Sequence, residues 1–182
     1  MTPRTVWGAW KRMASAKWTS PLSRRCAFQP ESRPSMISVT ATVCVIIRIG
    51  AISADILRTN NAAGESALGD VIADSQLYAT APAGFGEADI AFMNPGGIRA
   101  NISAGAVNWG TLFSVQPFGN RLVKITLAGR QIYDLLAQQW ENPSSPRMLQ
   151  ISGLSYRWTD NGPGAPGTVS TVMKDGIPID RE

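Results

Sequence analysis

From about Arg48 onward the hydrophobic positions recur with a period that switches between two and about 3.6 residues. "IGAISADILRT" alternates apolar with small or polar residues and predicts a strand. "NAAGESALGDVIADSQLYATAP" predicts a helix. Ser66 is its N-cap, Leu68, Val71, Ile72 and Leu77 form its apolar stripe, and Pro82 lies beyond its end. Gly69 inside that helix costs about 1 kcal/mol relative to Ala, which points to close packing against another backbone. "ADIAFM" (Ala88 to Met93) reads as a buried strand. "VNWGTLFSV" reads as a short helix capped by Asn108 or Thr111. "RLVKITL" (Arg121 to Leu127) reads as a strand. "AGRQIYDLLAQQWE" reads as an amphipathic helix with Ile132, Leu135, Leu136 and Trp140 on its apolar stripe. "LQISGLSYRWT" predicts a strand that puts Leu154, Tyr156 and Trp158 on one face, and "TVSTVMKDGIPID" predicts a hairpin turning at Asp175-Gly176. Strands and helices mix without a strict βαβ repeat. The pattern favours an α/β domain of the mixed α+β kind, layered, with a mixed sheet flanked by helices.

The first third of the chain has a different texture. Residues 1–58 hold nine Lys/Arg and two Asp/Glu, and residues 59–182 hold eight and eleven. The net charge of +4 therefore describes an N-terminal arm, not the domain. Trp7, Trp10 and Trp18 lie among basic residues there, a mixture that suits nucleic acid or an anionic membrane surface. Pro3, Pro21, Pro30 and Pro34 break any long helix, so residues 1–47 are expected to be a disordered extension. Met36–Ile47 is apolar but too short for a membrane-spanning helix, which needs about 20 residues. It suits a signal-peptide core or a strand, and the localisation stays open. Cys26 and Cys44 read as isolated thiols.

The chain has no histidine. Ser–His–Asp and Cys–His machinery is thereby excluded from it, as are histidine-containing zinc sites and the common di-metal phosphoesterase sites. No acidic loop of the calcium type is evident.

Two loops carry chemistry. In "AFMNPGGIRAN", Gly96 and Gly97 are expected at positive φ, where bare N–H groups would form an anion-binding concavity. Arg99 adds a planar fork for phosphate or carboxylate, and Asn94 both donates and accepts. The alternative is a tight turn with Arg99 paired to a nearby acid. In "VQPFGN", Pro117 and Gly119 make a bend that leaves Phe118 free to stack on a flat heterocycle, or to cap the core instead.

"GESALGDVIADSQL", "ADIAFMNPGGIRANI", "VNWGTLFSVQPFGNRLVKITLAGRQIYDLLAQQ" and "ISGLSYRW" together closely resemble the C-terminal domain of bacterial 5′-nucleotidases, two-domain metallophosphoesterases that dephosphorylate nucleotides. The likeness runs from about Arg48 to the end, giving an expected substrate-binding domain over 48–182. The resemblance implies that Asn94 contacts the base, Gly96 and Gly97 shape the pocket, Arg99 faces the phosphate, and Phe118, with Gly119 beside it, is one wall of an aromatic clamp. Pro95 stands where the family often has Gly. The family also supplies an arginine upstream of the first helix, for which Arg58 is the nearest candidate. Its two divalent metal ions belong to an N-terminal catalytic domain that residues 1–47 do not resemble, so no cofactor is expected in this chain. The clamp's opposite wall and a ribose-binding Asp belong to a segment beyond Glu182. The resemblance thus implies a truncated domain that binds a nucleotide or nucleoside such as AMP or adenosine and is inactive alone. The alternative is a non-catalytic interaction module, or a gene fragment, acting with a metallophosphoesterase domain in trans. Neither reading needs nucleic acid or a transmembrane helix.

Overall fold

The chain divides into two units, Met1–Cys44 and Val45–Glu182. The structure, a computed structural model, describes residues 47–181. The expectations for the Trp-rich arm and the cysteines lie outside the described residues. No helix among them is long and apolar enough to cross a membrane.

The described elements run β1 (Arg48–Ile52), α1 (Ala67–Thr80), β2 (Ala91–Met93), β3 (Gly105–Asn108), α2 (Trp109–Val115), α3 (Gly129–Ala137), β4 (Gln150–Ser152), β5 (Ser155–Thr159), β6 (Thr168–Lys174) and β7 (Ile177–Pro178). The mixed α/β class holds, with its strands spread over three small antiparallel sheets: β1–β3, β2–β4 and β5–β6–β7.

The β2–β4 pair is the middle layer. Successive side chains of a strand point to opposite faces. Met93 accordingly joins a core cluster with Leu68, Ile72 and Ala73 of α1 and with Ile98, Ile102, Val107 and Val115. Phe92 and Ile151 face the other way, toward Ile132 and Leu136 of α3 and Val172 of β6. Of the stripes read from the sequence, Leu68 and Ile72 of α1 and Ile132 and Leu136 of α3 are buried, Val71, Leu77 and Leu135 are half-buried, and Trp140 is buried in the 3₁₀ turn that follows α3.

Side-chain chemistry sets the helix boundaries. The Ser66 hydroxyl accepts from the Gly69 N–H at 3.0 Å and caps α1. Asn108 Oδ1 accepts from the Thr111 N–H at 2.8 Å and caps α2. The Ala128 N–H donates to Gln131 Oε1 at 2.8 Å at the start of α3. The hairpin turns at Asp175 (φ 52°) and Gly176 (φ 81°), the double positive-φ turn whose twist matches antiparallel strands.

Three expectations change. "LQISGLSYRWT" is two strands, because Gly153 at φ 79° breaks it where Asp89's carbonyl oxygen leaves no room for a side chain. Gly69 packs tightly, but against the side chain of Gln150. Arg121–Leu127 is neither strand nor helix. No described segment hydrogen-bonds alongside it, and Val123 is 82% and Ile125 66% exposed. Strand propensity reflects packing against neighbours more than an intrinsic backbone preference, and among the described residues no strand pairs with this segment.

Candidate functional site

Strand β2 ends at Met93, and the chain turns at once. The Gly97 N–H donates to the Asn94 carbonyl and the Ile98 N–H to the Pro95 carbonyl, both at 3.1 Å, making a single 3₁₀ turn over Pro95–Gly97. Pro95 suits the first position of such a turn, where its missing N–H costs nothing. Gly96 and Gly97 do not take positive φ, contrary to expectation, and neither does Gly119. The Gly97 N–H, expected in an anion nest, is used inside the turn. Gly97 is small for another reason: a Cβ there would overlap the Met93 methyl.

This turn gathers two arginines. Arg99 Nη1 donates to the Gly96 carbonyl at 3.2 Å. Arg58 comes from the loop before α1, and its Nη1 donates to the Ile98 carbonyl at 3.0 Å. The Arg58 N–H donates to Asn101 Oδ1 at 2.9 Å, fixing that loop against the end of the "GIRAN" segment. Among the described residues neither arginine is ion-paired; the ion pairs there are those of Lys174 with Asp89 and Asp175. Pairing of Arg99 with a nearby acid is therefore not what the structure shows. Each guanidinium spends one bond on a backbone carbonyl and keeps donors for a further acceptor.

The second loop is tied to the first. The Arg99 N–H donates to the Val115 carbonyl at 2.8 Å, and Gln116 Nε2 reaches Met93 Sδ at 3.4 Å. The bend sits at Pro117, where the Phe118 N–H donates to the Gln116 carbonyl at 2.8 Å. Phe118 is 46% exposed and belongs to neither core cluster, so it does not cap the core here. Asn94, Arg99, Phe118 and Gly119 are all exposed.

Arg58, Thr59, Asn60 and Ser66 form one side of an open cleft of about 270 Å³, and Pro95 and Ile98 the other. Small-molecule pockets typically run about 300–1,000 Å³, so this cleft suits only a small part of a ligand. Arg99 and Phe118 lie outside its lining. Among the residues not singled out from sequence are Thr59, Asn60 and Asn101, and a stacked pair, Trp109 and Phe113, with ring centroids 4.9 Å apart. The i, i+4 spacing in "NWGTLF" carries that last signal.

Near the start of α1 the surroundings disfavour negative charge on Asp70. Burial, then Glu65 and Asp74, push the half-buried Asp70 carboxyl up to about 6. Among the described residues no three His, Cys, Asp or Glu side chains converge where a metal ion could be held. The described residues do not fit the family's metal pair.

The family model "5'-nucleotidase, C-terminal domain" matches residues 41–182. Among curated relatives, the cell wall protein Lmo0130 of Listeria monocytogenes serovar 1/2a is 37% identical over 123 residues, 63% of this chain and 15% of that protein. A 5'-nucleotidase of Vibrio parahaemolyticus is 36% identical over 83 residues, 45% of this chain and 15% of that one. The 5'-nucleotidase precursor of Thermus thermophilus superimposes with a TM-score of 0.63 at 33% identity, covering 78% of this chain and 29% of that one. The NAD nucleotidase NadN of Haemophilus influenzae, at 22% identity and a TM-score of 0.52, shares the fold. The chain thus spans a small fraction of each relative, 15%, 9% and 7% of the first three. By the family match and the shared architecture, this chain belongs to the 5'-nucleotidase C-terminal domain family.

Proposed function

We propose that this domain binds a nucleoside 5′-phosphate, of the AMP kind, as the substrate-binding part of a 5′-nucleotidase-like hydrolase. One observation carries the reading. Arg58 and Arg99 are anchored on the carbonyls of one turn, and the same turn is bonded to the residue three before Phe118. Two guanidinium forks with unused donors suit a phosphate dianion. An exposed ring on the adjoining loop suits the base, with stacking worth about 1–3 kcal/mol. Asn94, at the entrance to the turn, offers a donor and an acceptor to the base.

Hydrolysis of the ester is assigned elsewhere. Phosphate-ester cleavage of this kind relies on metal-activated water, and the histidine ligands it commonly uses are missing from this sequence. The cutting step belongs to a metallophosphoesterase domain, on the same polypeptide or in trans.

Isothermal titration with AMP and adenosine tests the reading. AMP should bind about tenfold or more tighter than adenosine, a difference of about 1.4 kcal/mol. Arg99→Ala should abolish that preference, and Phe118→Ala should weaken both ligands alike. No binding of AMP, or a preference untouched by Arg99→Ala, refutes it. Phosphate release from AMP by the purified chain with Mn²⁺, lost in Arg99→Ala, would refute the assignment of chemistry elsewhere.

A further inference from the structure

The two sides of the cleft come from segments far apart in sequence, and one buried residue touches both. Gln150 of β4 is fully buried. Its backbone pairs in register with Met93, the last residue before the turn that carries Pro95, Ile98 and Arg99. Its side chain crosses to the other side. Gln150 Oε1 accepts from the Ser66 N–H at 2.6 Å and from the Ser66 hydroxyl at 3.0 Å. Gln150 Nε2 donates to the Gly64 carbonyl at 3.0 Å and to the Met148 carbonyl at 3.1 Å. The amide thus spends both donors and accepts twice, leaving little freedom to turn.

What it grips is the end of the loop that begins at Arg58. That loop is closed at its neck by the Leu68 N–H donating to the Leu57 carbonyl at 3.0 Å. Inside it, the Asn61 N–H donates to the Glu65 carbonyl at 2.7 Å, and Asn61 Oδ1 accepts from the Ala63 N–H at 2.8 Å and the Glu65 N–H at 3.1 Å. A loop tied this way moves as a piece. Holding it at Gly64 and Ser66 fixes where Arg58, Thr59 and Asn60 stand relative to Pro95 and Ile98.

We propose that Gln150 is a positioning residue. By joining the Arg58 loop to strand β2 it sets the width of the cleft, and so the strength and selectivity of phosphate-group binding. The inference rests on the reading of Arg58 and Arg99 as the phosphate-binding groups. It requires no contact between Gln150 and ligand. A polar network that is fully satisfied rigidifies what it holds, and placement within about 0.5 Å is what a binding constellation needs from its supporting residues.

The test compares AMP with adenosine in the full chain. Gln150→Met keeps volume and removes all four bonds. It should raise the Kd for AMP about tenfold or more, with adenosine changed less than about twofold. Arg58→Ala should produce the same selective loss, and the double variant should lose no more than about twofold beyond either single, because both act through one contact. Ser66→Gly is the milder variant should Gln150→Met fail to fold, since Gly replaces a Ser cap at a cost of a few tenths of a kcal/mol. It should shift AMP in the same direction by about two- to threefold. Val172→Ala, in the other core cluster, lowers stability without touching this network and should leave the AMP-to-adenosine ratio unchanged. A folded Gln150→Met or Ser66→Gly with the wild-type ratio overturns the inference alone, as do additive losses in the double variant. A wild-type chain that does not prefer AMP overturns the underlying reading, and this inference with it.

Discussion

Replacing Gly69 by Ala should destabilise this domain, against the usual direction. In an exposed helix interior Gly→Ala stabilises by about 1 kcal/mol. Gly69 is the third residue of α1 and is buried. A Cβ built on it overlaps Cγ and Oε1 of Gln150 and lies 2.6 Å from its Cδ. Gln150, which is fully buried, must then move. Overpacking of this kind costs about 1–3 kcal/mol. The shift also strains an amide that makes four hydrogen bonds, each contributing about 1 kcal/mol net. If two of the four are lost, the gross cost is about 3–5 kcal/mol, and subtracting the helix term leaves a net loss of about 2–4 kcal/mol. That is a large share of a stability of about 5–15 kcal/mol. Urea denaturation followed by far-UV circular dichroism reads it. With a slope of about 2 kcal/mol per molar, the midpoint should fall by roughly 1–2 M. Adding Gln150→Ala removes the obstructing atoms, so the double variant should be less destabilised than the two singles summed, by about 1 kcal/mol or more. A Gly69→Ala midpoint at or above wild type would refute the overlap argument.

Other expectations follow from the same structure. Asp70, pushed up to about 6 from 3.8 chiefly by burial, keeps its proton more tightly folded than unfolded. Its favourable contribution is therefore complete below about pH 3.8 and is lost as pH rises through 6, so ionised Asp70 opposes folding at neutral pH. After discounting for its half-exposed position, Asp70→Asn should stabilise by about 1 kcal/mol at about pH 8 and leave stability unchanged at about pH 3.5, read by thermal melts at both. Leu136→Ala, at a fully buried position of α3, should cost about 2–5 kcal/mol in urea. Val123→Lys should leave stability within about 0.5 kcal/mol and reduce self-association by light scattering, because Val123 contributes exposed apolar surface.

What was legible in the sequence is what local physics decides. A Ser three residues before a glycine, at the head of an apolar stripe, marks a helix start whatever surrounds it, and Ser66 caps α1. Asn108 caps α2 for the same reason, and Asp-Gly between two apolar runs leaves the chain few turns to choose from. The two loops of the site were marked by Pro and Gly where strands and helices stop. Their proximity was not, because it depends on the Arg99 N–H reaching Val115, a bond between segments that no periodicity links. Gln150 shows the same limit more sharply. A Gln within an apolar strand reads as an edge or a fault, and its role depends on Ser66, 84 residues away, presenting two donors to one oxygen.

The segment Arg121–Leu127 is where pattern and structure part, and the reason is physical. Its Val, Ile and Thr content favours a strand, yet the segment is neither strand nor helix. A strand, however, is a relation between two segments, and cross-strand pairs supply its stability in steps of about 0.2–1 kcal/mol each. With no described neighbour in register, Leu122, Val123 and Ile125 stay exposed while Leu127, at the segment's end, still packs against the second core cluster. Alternation in a sequence therefore signals a surface suited to being half covered and leaves unsaid what covers it. The Arg99 turn differs only in that its neighbours, Val115 and Arg58, are present. A site assembled from loops is legible residue by residue, but its geometry emerges only when the segments that brace it are in place.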